Sequence, residues 1–355
     1  MKVNTIMSII GARPQFIKAA PVSKVLRERF REVIVHTGQH YDFGMSDIFF
    51  DELQIPKPDV NLAIGSGSHA EQTGRMLIEI EKVLHQVNPD IVLVYGDTNS
   101  TLAGALAAVK LHTPVAHVES GLRSYNRDMP EEINRVLCDH SSTWLFCPTL
   151  KSVENLAHEG IVSGVHLVGD VMYDVLRYNL PIARQRSTIL RQTMQKNKKY
   201  VLATIHRASN TDNVEHLQTI IHTLGILSQT VLFPIHPRTK QVIQNSGISV
   251  PNNVMMIEPV GHLDMLVLEE NASCILTDSG GIQKEAFLLG VRCLTLREET
   301  EWVETVQAGW NQLVGISTEK IVNAVETWFP SSDRPPFYGD GYAAQKIVEI
   351  LYNIS

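Results

Sequence analysis

Short β-branched runs alternate with longer helical patterns along this chain, and the alternation runs through twice. Thr5–Ile10, Glu32–His36, Asp90–Tyr95, Pro114–Val118 and Thr143–Phe146 form the first set. Tyr200–Ile205, Thr230–Ile235, Val254–Ile257, Ser273–Leu276 and Arg292–Leu296 form the second. Strand-helix-strand wiring of this kind implies a parallel sheet covered by helices on both faces. The intervening Asp174–Lys199, rich in Arg, Gln and Lys, holds Pro181 and shows no strand pattern. The expectation is an α/β chain of two doubly wound domains, residues 1–170 and 171–339. A last helix at about 340–355 suits either one. The 355 residues also exceed the usual size of a single domain. In such folds ligands bind outside the carboxyl ends of the strands, here across a cleft between the domains.

Hydrophobic residues make up 44% of the chain, enough for two cores. The formal net charge of −7 argues against nucleic acid as a partner, so an anionic ligand needs locally placed cations. Cys138, Cys147, Cys274 and Cys293 are scattered without a CxxC pair and read as reduced, buried thiols. The opening ten residues run straight into Gly11-Ala12-Arg13-Pro14, as a first strand would, and not into a cleavage-type segment. With no run of about 20 apolar residues, the expectation is a cytoplasmic protein without membrane insertion.

The segment Asp278-Ser279-Gly280-Gly281 lies between an apolar strand and a helix. Glycines let backbone approach a ligand, while Ser279 and the free N–H groups of the helix offer donors to an anion such as a nucleotide phosphate. A serine cap followed by flexible glycines is the plainer alternative. Glu285, one turn into the helix, would repel phosphate and suits a ribose hydroxyl pair.

Other loaded clusters also follow strands. Arg13 and Lys18 supply two cations for a diphosphate. Asp97, between a strand and an Ala-rich helix, suits both an N-cap and a functional carboxylate. Glu119 ends an apolar strand, where partial desolvation is expected. Glu131 and Glu132 open a helix after Pro130, and half of that pair reads as dipole-compensating only. Converging carboxylates supply an acid and a base for proton transfer at carbon or at a sugar oxygen. His206 and His236 suit phosphate binding or proton shuttling. Metal ligation is their rival, shared with the pairs His36 and His40, and His112 and His117. None has the spacing and carboxylate partner of a zinc helix, so no metal is expected.

Taken in order, Gly11-Ala12-Arg13-Pro14, His36-Thr37-Gly38-Gln39-His40, Gly96-Asp97-Thr98, His117-Val118-Glu119-Ser120-Gly121-Leu122-Arg123, Pro130-Glu131-Glu132-Ile133-Asn134-Arg135, His206-Arg207 and Asp278-Ser279-Gly280-Gly281 resemble the non-hydrolysing UDP-N-acetylglucosamine 2-epimerase family over nearly the whole chain. The resemblance implies a GT-B architecture of two Rossmann-like domains, a C-terminal helix returning to the first, a homodimer and no cofactor. It implies loss of the C2 proton with anti elimination of UDP to a 2-acetamidoglucal, followed by re-addition. Carried over by position, Asp97, Glu119 and Glu131 are the acid/base set, and His206 attends the diphosphate. Ser279, Gly280 and Gly281 hold phosphate and Glu285 holds ribose. Arg13 and Lys18 serve the diphosphate or the carboxylates, and Arg135 orients its carboxylate neighbours. Arg207 and His236 complete the substrate-binding set.

This chain departs from the family in three places. Glu301-Trp302-Val303-Glu304 stands for Glu-Arg-Pro-Glu, Met265 replaces an aromatic, and Gly67-Ser68-His69-Ala70 stands where an allosteric Arg-Gln-Ser/Thr-Leu stretch is found, which argues against that regulation. The pattern is more similar to relatives that epimerise UDP-2,3-diacetamido-2,3-dideoxy-glucuronate for surface polysaccharide, including lipopolysaccharide O-antigen. Arg123, Arg127 and Arg207 are candidates for its C6 carboxylate. UDP-N-acetylglucosamine is the alternative substrate, with a GT-B glycosyltransferase or a non-catalytic UDP-sugar binder as more distant readings.

Overall fold

The computed structural model describes residues 3–39, 56–193 and 199–354. It divides into two compact units, one of residues 1–177 with 336–355 and one of residues 178–335. The boundary at 177 falls inside a continuous helix, Val171–Arg186, which carries Pro181 within it.

The first unit is built on a seven-stranded parallel sheet. Its strands are β1 (Thr5–Ile10), β2 (Arg31–His36), β3 (Val60–Asn61), β4 (Ile91–Tyr95), β5 (Val115–Val118), β6 (Trp144–Cys147) and β7 (Val165–Leu167), in the order β3-β2-β1-β4-β5-β6-β7. Successive side chains of a strand point to opposite faces, so a strand buried on both must be apolar throughout. β4 obeys this throughout, and β1 does so apart from Thr5 and a buried Ser8 whose hydroxyl donates to Glu32 at 2.6 Å; together they feed two cores. Ile6, Ile10, Leu93 and Tyr95 pack with helix Arg13–Leu26 and the C-terminal helix Ala343–Asn353. Met7, Ile9, Val92 and Val94 pack with helices His69–Val87 and Asn99–Lys110. Gly104 lets the latter helix press onto the sheet, since a Cβ there would lie 2.9 Å from Ile9 Cδ1 and 3.1 Å from Val94 Cγ1. The C-terminal helix is fastened by Asp174, whose carboxylate accepts from Ala343 N and Ala344 N at 3.0 and 2.9 Å.

The second unit carries a six-stranded parallel sheet of β8 (Tyr200–Thr204), β9 (Thr230–Pro234), β10 (Val254–Ile257), β11 (Cys274–Thr277), β12 (Cys293–Thr295) and β13 (Asn311–Leu313), in the order β10-β9-β8-β11-β12-β13. Both sheets are doubly wound, the two-domain Rossmann-like plan of the GT-B class. All four cysteines are free and buried. No described helix is long and apolar enough to cross a membrane.

The short edge strands β3, β7 and β13 are additions to the sequence expectation. Val60–Asn61, Val165–Leu167 and Asn311–Leu313 contain Asn, His or Gln and lack an apolar run. They form because a neighbouring strand offers its ladder, a tertiary effect that outweighs intrinsic preference.

In each sheet the order reverses beside the first strand, between β1 and β4 and between β8 and β11. Connections leaving the two strands at such a switch point diverge to opposite faces and open a crevice at their carboxyl ends. The loops after β1, β4, β8 and β11 carry most of the motifs singled out above.

Candidate active site

In the first unit, Gln15 joins the two sides of the switch point. Its side chain accepts from Gly11 N and Ala12 N at 2.8 and 3.0 Å, and donates to Tyr95 O and Thr101 Oγ1 at 2.9 and 3.0 Å. The Arg13 side chain and His40 lie outside the described residues. Lys18, one turn into the helix, is ion-paired with Glu119, and both side chains are largely buried.

Gly96 follows β4 with φ +61°. A Cβ there would stand 3.3 Å from Lys18 Nζ and 3.4 Å from Glu119 Oε2, so the glycine makes room for this pair. The cap of the following helix is Thr98, whose side chain accepts from Thr101 N. This corrects the capping reading of Asp97: its carboxylate is instead ion-paired with Arg135, and its carbonyl accepts from Asn134 Nδ2 at 2.9 Å.

Glu119, just past β5, is a non-glycine residue with φ +70°. Such backbone costs on the order of 1–3 kcal/mol and persists where its surroundings over-determine it. In helix Pro130–Ser141, Glu131 is exposed while Glu132 is buried. Glu132 accepts from Ser124 N, Ser124 Oγ and Tyr125 N at 2.9 Å each and pairs with Arg135 Nη1 at 2.9 Å. Burial alone would raise its pKa, but these donors and Arg135 hold it below the ordinary value. Arg135 thus bridges Asp97 and Glu132.

Three sequence candidates are engaged elsewhere. Arg123 is buried and binds Asp139 and both carboxylate oxygens of Glu159 at 2.6–2.8 Å, which corrects its reading as a cation for a substrate carboxylate. His36 is a core histidine, buried against Phe16 and 3.3 Å from Asn61 Oδ1, with its pKa lowered by burial. His117 is fully buried, bonded to Asp139 and to Gly96 O. In the Gly67–Ala70 stretch, Ser68 caps helix His69–Val87 and His69 lies 3.2 Å from Asn99 Nδ2.

The second unit gathers its motifs around Asp278, which is fully buried and accepts from His206 N, Arg207 N and Asn210 Nδ2 at 3.0–3.1 Å. One carboxylate therefore ties the loop after β8 to the Ser279-Gly280 turn after β11. His206 Nδ1 stands 3.5 Å from Asp278, and the ring is 44% exposed, open to a ligand. The exposed His236 ring lies 6.1 Å from it, with Nδ1 accepting from Arg238 N at 3.3 Å as the cap of helix Pro237–Asn245.

Ser279 caps helix Gly280–Leu289 through Ile282 N at 3.5 Å, a long bond that leaves the N-terminal donors available. The plainer of the two sequence alternatives, a serine cap, is therefore present. Gly280 and Gly281 are partly exposed beside it. A Cβ on Gly280 would collide with Glu301, which Arg297 holds at 3.0 Å. Glu285 lies half-buried against Glu269, whose carboxyl is pushed well above its ordinary range by burial and then by Glu285. Trp302, in the place of the family's arginine, is buried under the Lys284 ammonium at 4.2 Å from its ring. Arg207 reaches Glu301 at 3.9 Å.

Sequence reading missed Asp139 and Asp278 as organising groups. Asp139 carried a signal, because an acidic side chain in the last turn of a helix opposes the dipole and needs a compensating partner.

A family model described as UDP-N-acetylglucosamine 2-epimerase matches residues 24–352. The chain is 54% identical over 355 residues to a UDP-N-acetylglucosamine 2-epimerase homolog of Methanococcus maripaludis, covering 98% of this chain and 99% of that one. It is 48% identical to the UDP-2,3-diacetamido-2,3-dideoxy-D-glucuronate 2-epimerase of Pseudomonas aeruginosa, with the same coverage. Among solved structures, Methanocaldococcus jannaschii UDP-GlcNAc 2-epimerase in complex with UDP-GlcNAc and UDP superposes with a TM-score of 0.86 at 45% identity, covering 99% of this chain and 100% of that one. Fold, motifs and full-length similarity agree, and the chain belongs to the UDP-N-acetylglucosamine 2-epimerase family, a family of isomerases.

Proposed function

We propose that this protein epimerises a UDP-N-acetylated sugar at C2, without a redox cofactor, and that its substrate is UDP-2,3-diacetamido-2,3-dideoxy-glucuronate, converted to the manno epimer for surface polysaccharide. The observation that carries the chemistry is the placement of two cation-paired carboxylates on adjacent strand ends, Asp97 with Arg135 and Glu119 with Lys18. In this reading one carboxylate removes the C2 proton as UDP leaves, and another returns a proton to the opposite face of the glucal as UDP adds back. Glu131, exposed at its helix start, is the third member of the set. The paired cations orient the carboxylates.

UDP is held in the second unit. Ser279, Gly280 and Gly281 donate to phosphate at the helix N-terminus, and Glu285 accepts from ribose hydroxyls. His206, with Arg207 and His236, attends the charge that develops on the departing diphosphate. The active form in this reading is a homodimer.

The substrate choice is supported by the similarity to the Pseudomonas aeruginosa enzyme and by Trp302 in place of an arginine. The second reading, UDP-N-acetylglucosamine to UDP-N-acetylmannosamine, is favoured by the engagement of Arg123, which leaves Arg127 and Arg207 to meet a C6 carboxylate. Proton NMR in D2O with each nucleotide sugar separates the two. Deuterium at C2 with a manno-type H1 signal is expected for the diacetamido-uronate. The same result confined to UDP-N-acetylglucosamine selects the second reading, and no exchange with either sugar overturns the epimerase.

A further inference from the structure

The loop that carries Glu119 is gripped from one side by a single buried carboxylate. Asp139, on helix Pro130–Ser141, is 1% exposed. Its Oδ1 accepts from His117 Nδ1 at 2.7 Å, and its Oδ2 accepts from Gly121 N at 3.0 Å and Arg123 Nη1 at 2.6 Å. These donors come two residues before Glu119, two after and four after, so Asp139 brackets the positive-φ residue on both sides. His117 extends the grip, because its Nε2 donates to Gly96 O at 2.7 Å, immediately before Asp97.

Protonation follows from the partners. A backbone carbonyl can only accept, so Nε2 of His117 carries a proton, and an ionised carboxylate likewise requires a proton on Nδ1. The ring is therefore a buried imidazolium. Burial opposes that charge, but Cys138 and Asp139 outweigh it and hold the His117 pKa well above its ordinary value. The side chains of Arg123, Asp139 and His117 are buried and alternate in sign, and the chain of pairs ends at the partly exposed Glu159, which also meets His140 at 3.0 Å.

We propose that Asp139, acting with His117, is a positioning residue for epimerisation: it holds the strained Glu119 backbone and the Gly96–Asp97 turn together, fixing the separation of two acid/base carboxylates. The proposal rests on the epimerase reading above. Both faces of a sugar carbon must be served by groups placed within fractions of an ångström, and a displacement of about 1 Å can cost a hundredfold in rate. An amide at Asp139 would turn an NH2 group toward at least one of the three donors and release part of the loop.

The test uses the full-length protein as Asp139→Asn and, because that variant can fail to fold, also as His117→Gln. Competent sites are counted by UDP titration calorimetry, and C2 deuterium exchange is followed per site across substrate concentration. In both variants exchange per UDP-binding site is expected to fall at least tenfold while the UDP Kd stays within twofold. The loss falls on kcat, with KM within threefold of wild type. Exchange per site within twofold of wild type, or a loss carried by KM, overturns the proposal. A wild-type protein that exchanges no C2 proton fails the epimerase reading instead.

Discussion

The ammonium of Lys18 is ion-paired with the carboxylate of Glu119 across the glycine that follows β4. Both side chains are largely buried, so the pair is only weakly screened by solvent, unlike an exposed ion pair. Lys18→Met keeps the stem and removes the charge. The expected outcome is a loss of kcat of ten- to a hundredfold, because Glu119 loses the cation that fixes its carboxylate beside the Gly96 turn. Steady-state kinetics at one pH check this.

Arg135 bonds two carboxylates at once, Asp97 and Glu132. A guanidinium presents several donors in a fixed fork, whereas an ammonium is a point charge on a flexible stem. Arg135→Lys therefore keeps the charge and loses the bridge. A fall in kcat of at least tenfold is expected, with UDP affinity unchanged because the groups proposed to hold UDP lie in the second unit. Kinetics paired with UDP titration would contradict this reading if both quantities fell together.

Gly280 opens the helix that is proposed to cradle phosphate. In Gly280→Ala the added methyl meets Glu301, which Arg297 anchors at 3.0 Å. The side chain must move, and the carboxylate turns toward the anion site. UDP affinity is expected to drop about tenfold, which corresponds to roughly 1.4 kcal/mol, while the melting temperature changes little. Calorimetric titration with UDP reads the first effect and a thermal melt the second.

Asp174 ties the C-terminal helix to the first unit, and burial raises its pKa from 3.8 to about 6. Since the folded state binds this proton more tightly than the unfolded chain, the contribution is fully present below 3.8 and is lost as pH rises through about 6. Its full span is at most about 3 kcal/mol. Hydrogen exchange in residues 343–353 should be slower at pH 5 than at pH 7 after correction for intrinsic rates. In Asp174→Asn that pH dependence should disappear; its persistence would assign the effect to another group.

The central strands were legible before folding. β1, β4, β8 and β11 are buried along nearly their whole length, and their mostly apolar composition announces it, as do the loops that follow them. The sequence by itself did not determine β3, β7 and β13, because two or three mixed residues pair only once a neighbouring ladder exists. Nor could it rank Glu131 against Glu132. The two are adjacent and equally dipole-friendly, and only the packed helix decides that Glu132 turns inward to Ser124, Tyr125 and Arg135 while Glu131 stays exposed. The role of Asp97 was open for the same reason, since capping by Thr98 is a matter of backbone geometry one residue on. Asp139 and His117 are 22 positions apart in sequence and 2.7 Å apart in space. Local pattern carries burial and periodicity, but the pairing of charges is decided by distances that exist only after the sheet has closed.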